Sequence, residues 1–208
     1  TIKEGEKVAI LGRNGSGKST LMKLASGLFK ASDGLVMYDG VDIRQLHSDD
    51  LSNSVGIVLQ DVQLFSGSVK ENITMGRKEI SQEDLINSGK LSGLDEFITK
   101  IPGGYDLQLS DGGKGLSGGQ RQSIALSRSL VHKPTHLIFD EPTSAMDMNA
   151  ESSFINQADA ILKDSTLLIV THRMPLLNLV DRIIIMNEGQ IVEDGSKDEV
   201  IKKINPSS

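Results

Sequence analysis

The chain has 208 residues, 38% of them hydrophobic and 24% charged, a net charge of −6 and no cysteine, which suits one α/β domain with a sizeable core rather than two. Without cysteine, disulfides and thiolate metal sites are excluded, and the acidic balance offers no basic footprint for nucleic acid. No apolar run approaches the ~18 residues that span a bilayer, and Thr1 to Gly5 lack a signal peptide's apolar core, so the chain is expected to be soluble as given and a piece of something longer.

Glu6 to Leu11 reads as a buried strand. After it, Gly12-Arg13-Asn14-Gly15-Ser16-Gly17-Lys18-Ser19-Thr20 matches G-x-x-x-x-G-K-[ST] without a mismatch, and Leu21, Leu24, Ala25 and Leu28 then give a helix one apolar face. The glycines let the backbone turn its N–H groups inward around an anion. A helix opening at Lys18 or Ser19 adds unpaired amides and the positive end of its dipole. Lys18 contributes a point charge for the outer phosphates, and the Ser19 hydroxyl is expected to hold Mg²⁺.

Ser32-Asp33-Gly34 is a turn, and Asp39-Gly40 predicts a hairpin between Leu35–Tyr38 and Val41–Ile43. Val55 to Leu59 is the next buried strand and ends at Gln60. From Asp61 to about His132 helical patterns and glycine turns dominate: Ser81 is placed to cap a helix, Ile101-Pro102-Gly103-Gly104 breaks the pattern, and a helix runs from about Arg121 to Leu130. The sheet resumes at His136–Phe139, followed by Asp140-Glu141-Pro142 and a polar helix with Phe154, Ile155 and Ala158 inside. Leu167–Val170 is a strand ending in Thr171-His172. Arg182–Met186 pairs with Gln190–Glu193, and Lys197–Ile204 closes the chain as a helix, with Asn205 to Ser208 expected to fray.

Chemistry converges at strand ends, where a doubly wound sheet places ligands. Asp140 and Glu141 follow an apolar strand directly; Asp140 is expected in a Mg²⁺ shell and Glu141 as the acceptor of a proton from attacking water. Gln60 can reach Mg²⁺ or the attacking water through its amide oxygen, although taken alone a solvated strand-end glutamine is the better reading. His172 fits either a structural histidine or a group that touches the terminal phosphate and orients Glu141. Leu116-Ser117-Gly118-Gly119-Gln120 reads as a second anion site at a helix start. A plain helix cap accounts for Ser117 but not for the paired glycines together with Gln120.

Together these motifs resemble the nucleotide-binding domain of ATP-binding cassette (ABC) transporters over nearly the whole chain. GRNGSGKST is similar to that family's Walker A, Gln60 to its Q-loop glutamine, LSGGQ to its signature, Leu137 to Glu141 to Walker B, Ser144 to Asp147 to the D-loop, and His172 to the switch histidine. The resemblance implies a P-loop NTPase with a RecA-like α/β core, a mostly parallel sheet, a small antiparallel β portion and a helical subdomain. The core would be 1–60 with 133–208, and the helical subdomain about 61–132.

It also implies an ATP hydrolase that binds ATP and Mg²⁺ and works as a head-to-tail homodimer, each ATP held between Walker A of one chain and Leu116–Gln120 of the other, with Asp147 in the D-loop between them. The stretch Gln60 to Ile73 resembles the exporter type, in which it meets a transmembrane domain, so the whole would sit at the cytoplasmic face of the inner membrane. Ser117–Arg121, Asp140–Met148 and Thr171–Arg173 are most similar to type I secretion exporters of toxins, adhesins and bacteriocins. The family's adenine-stacking aromatic would lie upstream of Thr1, and Asp111-Gly112-Gly113 stands where exporters carry Glu-Arg-Gly. A soluble ABC ATPase acting on DNA or ribosomes is the alternative. The long coiled coils or tandem cassettes of such proteins are not found in this sequence.

Overall fold

In the computed structural model, residues 1–204 are described; the tail expected to fray lies outside them. One six-stranded sheet forms the centre. Its strands are β1 (Lys7–Leu11), β4 (Val55–Val58), β7 (His136–Asp140), β8 (Thr166–Val170), β9 (Arg182–Asn187) and β10 (Gln190–Ser196). Their order across the sheet is β10-β9-β1-β8-β7-β4, parallel throughout except for the antiparallel edge strand β10. The sheet is therefore mostly parallel, as the strand and helix alternation predicts.

The inner strands read as continuous apolar runs because both faces are covered. Alternation divides their side chains between the two faces. Val8 and Ile10 of β1, Ile138 of β7, and Leu168 and Val170 of β8 join Met22 of helix α1 (Lys18–Ala25) on one side. Ala9, Leu137, Phe139, Leu167 and Ile169 face the other side. There they meet Leu126 and Leu130 of α6 (Gly118–Leu130), Phe154 and Ala158 of α7 (Met148–Leu162), and Val200 of α8 (Lys197–Ile204). Full burial of a side chain such as Phe139 contributes about 1.5–3 kcal/mol.

Between β4 and β7 the chain forms α3 (Val69–Thr74), α4 (Gln82–Leu91), α5 (Asp95–Ile98) and α6. Leu64, Val69, Ile73, Leu85, Leu94, Ile98, Ile124 and Val131 make a separate apolar cluster there. Helix α6 belongs to both layers: Ile124, with Val131 just past the helix end, joins that cluster, and Leu126 and Leu130 join the sheet's core. Ser81 caps α4 by accepting from the Asp84 N–H. The hairpin at Asp39-Gly40 joins β2 (Met37–Tyr38) and β3 (Val41–Asp42).

Three features depart from the sequence reading. Helix α2 (Ser48–Ser54) has no buried residue, so no apolar face marked it. An antiparallel pair of two-residue strands, β5 (Gly67–Ser68) and β6 (Gln108–Leu109), ties the two ends of the helical region together, and strands that short carry no period. Finally, α6 starts at Gly118, three residues before the expected start, because Ser117 and Gln120 form a reciprocal capping box.

Candidate functional site

The phosphate loop hangs between β1 and α1, where a strand end meets a helix start. Gly12 has φ 153°, and a Cβ there would stand 2.3 Å from the Met186 carbonyl oxygen and 2.6 Å from Ser16 Oγ. Only glycine fits. Gly17, at φ 99°, caps α1 in the left-handed region without using a side chain, which leaves the first helical amides free to face the loop. Lys18 is buried and its Nζ donates to the carbonyls of Gly12 (2.7 Å) and Arg13 (2.9 Å). The ammonium is thus held at the loop's centre.

A cleft of about 690 Å³ opens over this loop, lined by Asn14, Gly15, Gly17, Lys18, Ser19, Thr20, Gln60, Asp140, Glu141, Ser144, Val170, His172 and Arg173. Four distant stretches of chain meet there because β1, β4, β7 and β8 are parallel and end on the same side. Of the loop residues, Gly12, Arg13 and Ser16 do not line this cleft; Ser16 is buried and Arg13 exposed. A second cleft, about 520 Å³, is lined by Thr1 to Glu4, Tyr38, and His136 and Thr166 at strand starts. It has no cationic loop and no carboxylate pair at a strand end.

Asp140 closes β7 and is buried; burial pushes its carboxyl above the ordinary range, while the Ser19 hydroxyl and the ammoniums of Lys18 and Lys23 pull it down. Ser19, Gln60 and Asp140 offer oxygen donors to one cleft, the kind of set a hard cation such as Mg²⁺ takes alongside phosphate oxygens. Among the described residues no group of three or more His, Asp or Glu is spaced to hold a metal alone.

Glu141 takes φ 53°, unusual for a residue with a Cβ. Its N–H donates to Val170 O (2.9 Å) and its carbonyl accepts from Gln122 Nε2 (2.8 Å). Burial raises its pKa first of all; His172 and Arg173 oppose the rise and the neighbouring Asp140 adds to it. Its Oε1 is buried with no hydrogen-bond partner among the described residues. Glu141 also lines the cleft, and a buried acceptor without a protein partner beside such a space suits a bound ligand or water.

Leu116 to Gln120 and Asp147 do not line the cleft. Within the chain, the capping box occupies both Ser117 and Gln120, and the paired glycines let α6 approach the 141–147 loop: a Cβ on Gly118 would lie 2.9 Å from Ala145 Cβ, and one on Gly119 3.2 Å from Ala145 O. A cap with close packing therefore accounts for all four residues. Ser117 remains exposed. Asp147 caps α7, its Oδ1 accepting from the Ala150 N–H (2.9 Å).

Sequence reasoning gave no site role to Gln122, and named Ser144 and Arg173 only as parts of resembling stretches. Arg173 donates to the carbonyls of Ser144 (3.1 Å) and Met146 (3.3 Å) and pairs with the buried Glu151 at 3.1 Å. Its place beside His172 was the available signal. Gln122 lies two residues beyond the signature, but nothing local marks it as buried.

Taken together, the parallel sheet, the glycine loop and the carboxylates at the end of β7 define a P-loop nucleotide-binding fold. A family model described as "ABC transporter" matches residues 1–144. The leukotoxin export ATP-binding protein LtxB of Aggregatibacter actinomycetemcomitans is 41% identical over 201 residues, 97% of this chain and 28% of its own length. The cyclolysin secretion/processing ATP-binding protein CyaB of Bordetella pertussis is 41% identical over 200 residues, 96% of this chain and 28% of its own. A putative multidrug export ATP-binding/permease protein of Staphylococcus aureus is 39% identical over 203 residues, 98% of this chain and 35% of its own.

Among solved structures, a bacterial Atm1-family ABC exporter with ATP bound superposes with a TM-score of 0.89 at 32% identity, covering 98% of this chain and 36% of that one. The chain belongs to the ABC transporter family. It spans about a third of the length of the relatives it matches, between 28% and 36%.

Proposed function

We propose that this chain is the ATP-binding and ATP-hydrolysing domain of an ABC exporter, of the type I secretion kind, working as an ATP-bound head-to-tail pair of copies. The observation that carries the hydrolytic reading is Glu141, which lines the cleft that holds the phosphate loop and whose Oε1 is buried, unpartnered among the described residues and 3.6 Å from His172 Nε2. Lys18 and the amides of Gly15 to Thr20 bind the β- and γ-phosphates of ATP. Asn14 and the rest of the loop from Gly12 keep those amides in place. Ser19, Gln60 and Asp140 would hold Mg²⁺, which when bound neutralises charge on the phosphates. Glu141 accepts the proton of the attacking water and His172 orients Glu141.

Leu116, Ser117, Gly118, Gly119 and Gln120 take the partner copy's γ-phosphate through the exposed turn at Ser117 and the amides behind it, with Asp147 beside the joint. Because that turn stands outside this chain's own cleft, a complete site needs two copies. The division into a core of 1–60 with 133–208 and a helical subdomain of about 61–132 follows the separate apolar cluster between β4 and β7. The segment after Gln60, with Phe65 exposed, is the surface for a transmembrane domain, and no nucleic acid is involved. Among the described residues no helix is long and apolar enough to cross a membrane, so the anchor at the cytoplasmic face would be that other domain.

Steady-state ATP hydrolysis with Mg²⁺, measured per chain over about two decades of protein concentration, tests this reading. A rate that rises and saturates is expected of an assembled pair. A concentration-independent rate from a chain that sediments as a monomer would defeat the two-copy site, and no hydrolysis at any concentration would defeat the catalytic assignment.

A further inference from the structure

Gln122 is buried and lies on α6, one turn past the glycines at that helix's start. Its side-chain amide is fully used. Nε2 donates to the Glu141 carbonyl (2.8 Å) and to Ser144 Oγ (3.2 Å), and Oε1 accepts from the Ala145 N–H (2.8 Å). All three partners belong to the short loop that leaves β7, and Glu141 within it is held at φ 53°, a conformation that persists only where surroundings impose it.

On the N–H side of Glu141 the restraint is Val170 O of β8, part of the rigid sheet. On the carbonyl side two donors converge: Gln122, and the Ser144 N–H at 3.2 Å, which belongs to the loop itself. Gln122 is thus the connection from that peptide to a different element. That element is the helix whose first turn carries Ser117 to Gly119.

We infer that Gln122 is a positioning residue for ATP hydrolysis, holding the Glu141 backbone so that its carboxylate faces the cleft and tying that geometry to helix α6. This rests on the hydrolytic role proposed for Glu141. Gln122 is buried and does not line the phosphate-loop cleft; it acts through another residue. A shift of α6 relative to the sheet must either carry the Glu141 peptide along or break the bonds Gln122 makes.

The test compares the wild-type chain with Gln122→Met, Gln122→Glu, Glu141→Gln and the double variant Gln122→Met with Glu141→Gln. The measurements are kcat, KM and affinity for a fluorescent ATP analogue, with melting by circular dichroism. Methionine keeps the length without the amide. Glutamate keeps an acceptor for the Ala145 N–H but no donor for the Glu141 carbonyl, so it decides the matter should the methionine variant fail to fold.

Either single variant at Gln122 should lose about 10- to 100-fold in kcat, as misplacement of a catalytic group does, while analogue affinity stays within about twofold. In the Glu141→Gln background the same change should cost less than about twofold, because its route of action is already gone. A folded variant with wild-type kcat, or a loss that multiplies in the double variant, overturns the inference. A wild-type chain without hydrolysis would overturn the proposed function itself and take this inference with it.

Discussion

His172 Nε2 lies 3.6 Å from Glu141 Oε1, too far for a hydrogen bond, and that carboxylate oxygen has no other partner among the described residues. A buried acceptor left free in this way costs stability, and the place where a free acceptor is useful is opposite a proton donor that arrives with the substrate. Replacing Glu141 by Gln removes the base and keeps the shape. Turnover of ATP should fall by ~10²-fold or more, with affinity for ATP retained. Hydrolysis at the wild-type rate by the variant would remove Glu141 from the mechanism.

The same substitution should stabilise the fold. Burial sets the Glu141 pKa above its ordinary 4.5, so the folded chain disfavours the charged form relative to the unfolded one. Whatever the neutral form contributes is present below the unfolded pKa and is lost as pH rises through the folded value. Glu141→Gln should therefore melt higher than wild type at neutral pH, and the gap should close below about pH 4, where both side chains are neutral. Melting curves at the two pH values, without nucleotide or divalent cation, check the sign; a variant that melts lower at neutral pH contradicts it.

Gly12 and Gly15 look equivalent in the loop motif and are not. Both have positive φ, but a Cβ on Gly12 would meet the Met186 carbonyl and Ser16 Oγ, whereas around Gly15 nothing lies within 4 Å. Gly12→Ala combines overpacking with backbone strain and should cost about 2 kcal/mol or more, lowering Tm by about 4–8 °C for a chain of this size. Gly15→Ala carries only the left-handed penalty of about 1–2 kcal/mol. A larger fall in Tm for Gly15→Ala would reverse the argument.

The phosphate loop was legible in the sequence because its chemistry is local: six loop residues, a lysine and a hydroxyl, bounded by a strand and a helix that their own patterns reveal. Asp140, Glu141 and His172 were legible at one remove, through the apolar strands β7 and β8 that end in them. The order of strands was not, since β1 pairs with residues more than 150 positions away and nothing in Val8 to Ile10 names Leu168 or Ile183 as neighbours. Gln122 and the contacts of Arg173 were passed over for the same reason: a polar side chain is read as exposed until the loop it clamps is brought beside it. Gln120 shows the converse case. Its spacing from Ser117 is that of a capping box, but the glycines between them drew attention to anions first.

Arg128 ties α6 to the segment that follows Gln60. Its guanidinium donates to Asn72 O (2.7 Å), Asn72 Oδ1 (3.2 Å) and Gln63 O (3.1 Å), and lies 5.3 Å from the centre of the Phe65 ring. The fully buried Asn72 in turn brackets Phe65, accepting from its N–H (3.1 Å) and donating to its carbonyl (2.9 Å). Lysine cannot reproduce the planar fork that reaches two residues at once. Arg128→Lys should lose hydrogen bonds to a charged group worth about 1.5–3 kcal/mol, a weakening of roughly 10- to 100-fold in local opening. Amide hydrogen exchange should therefore quicken by about that factor across 63–68 while β1 and β8 keep their protection. Equal protection of 63–68 in the variant would show that the Asn72 bracket alone holds the segment.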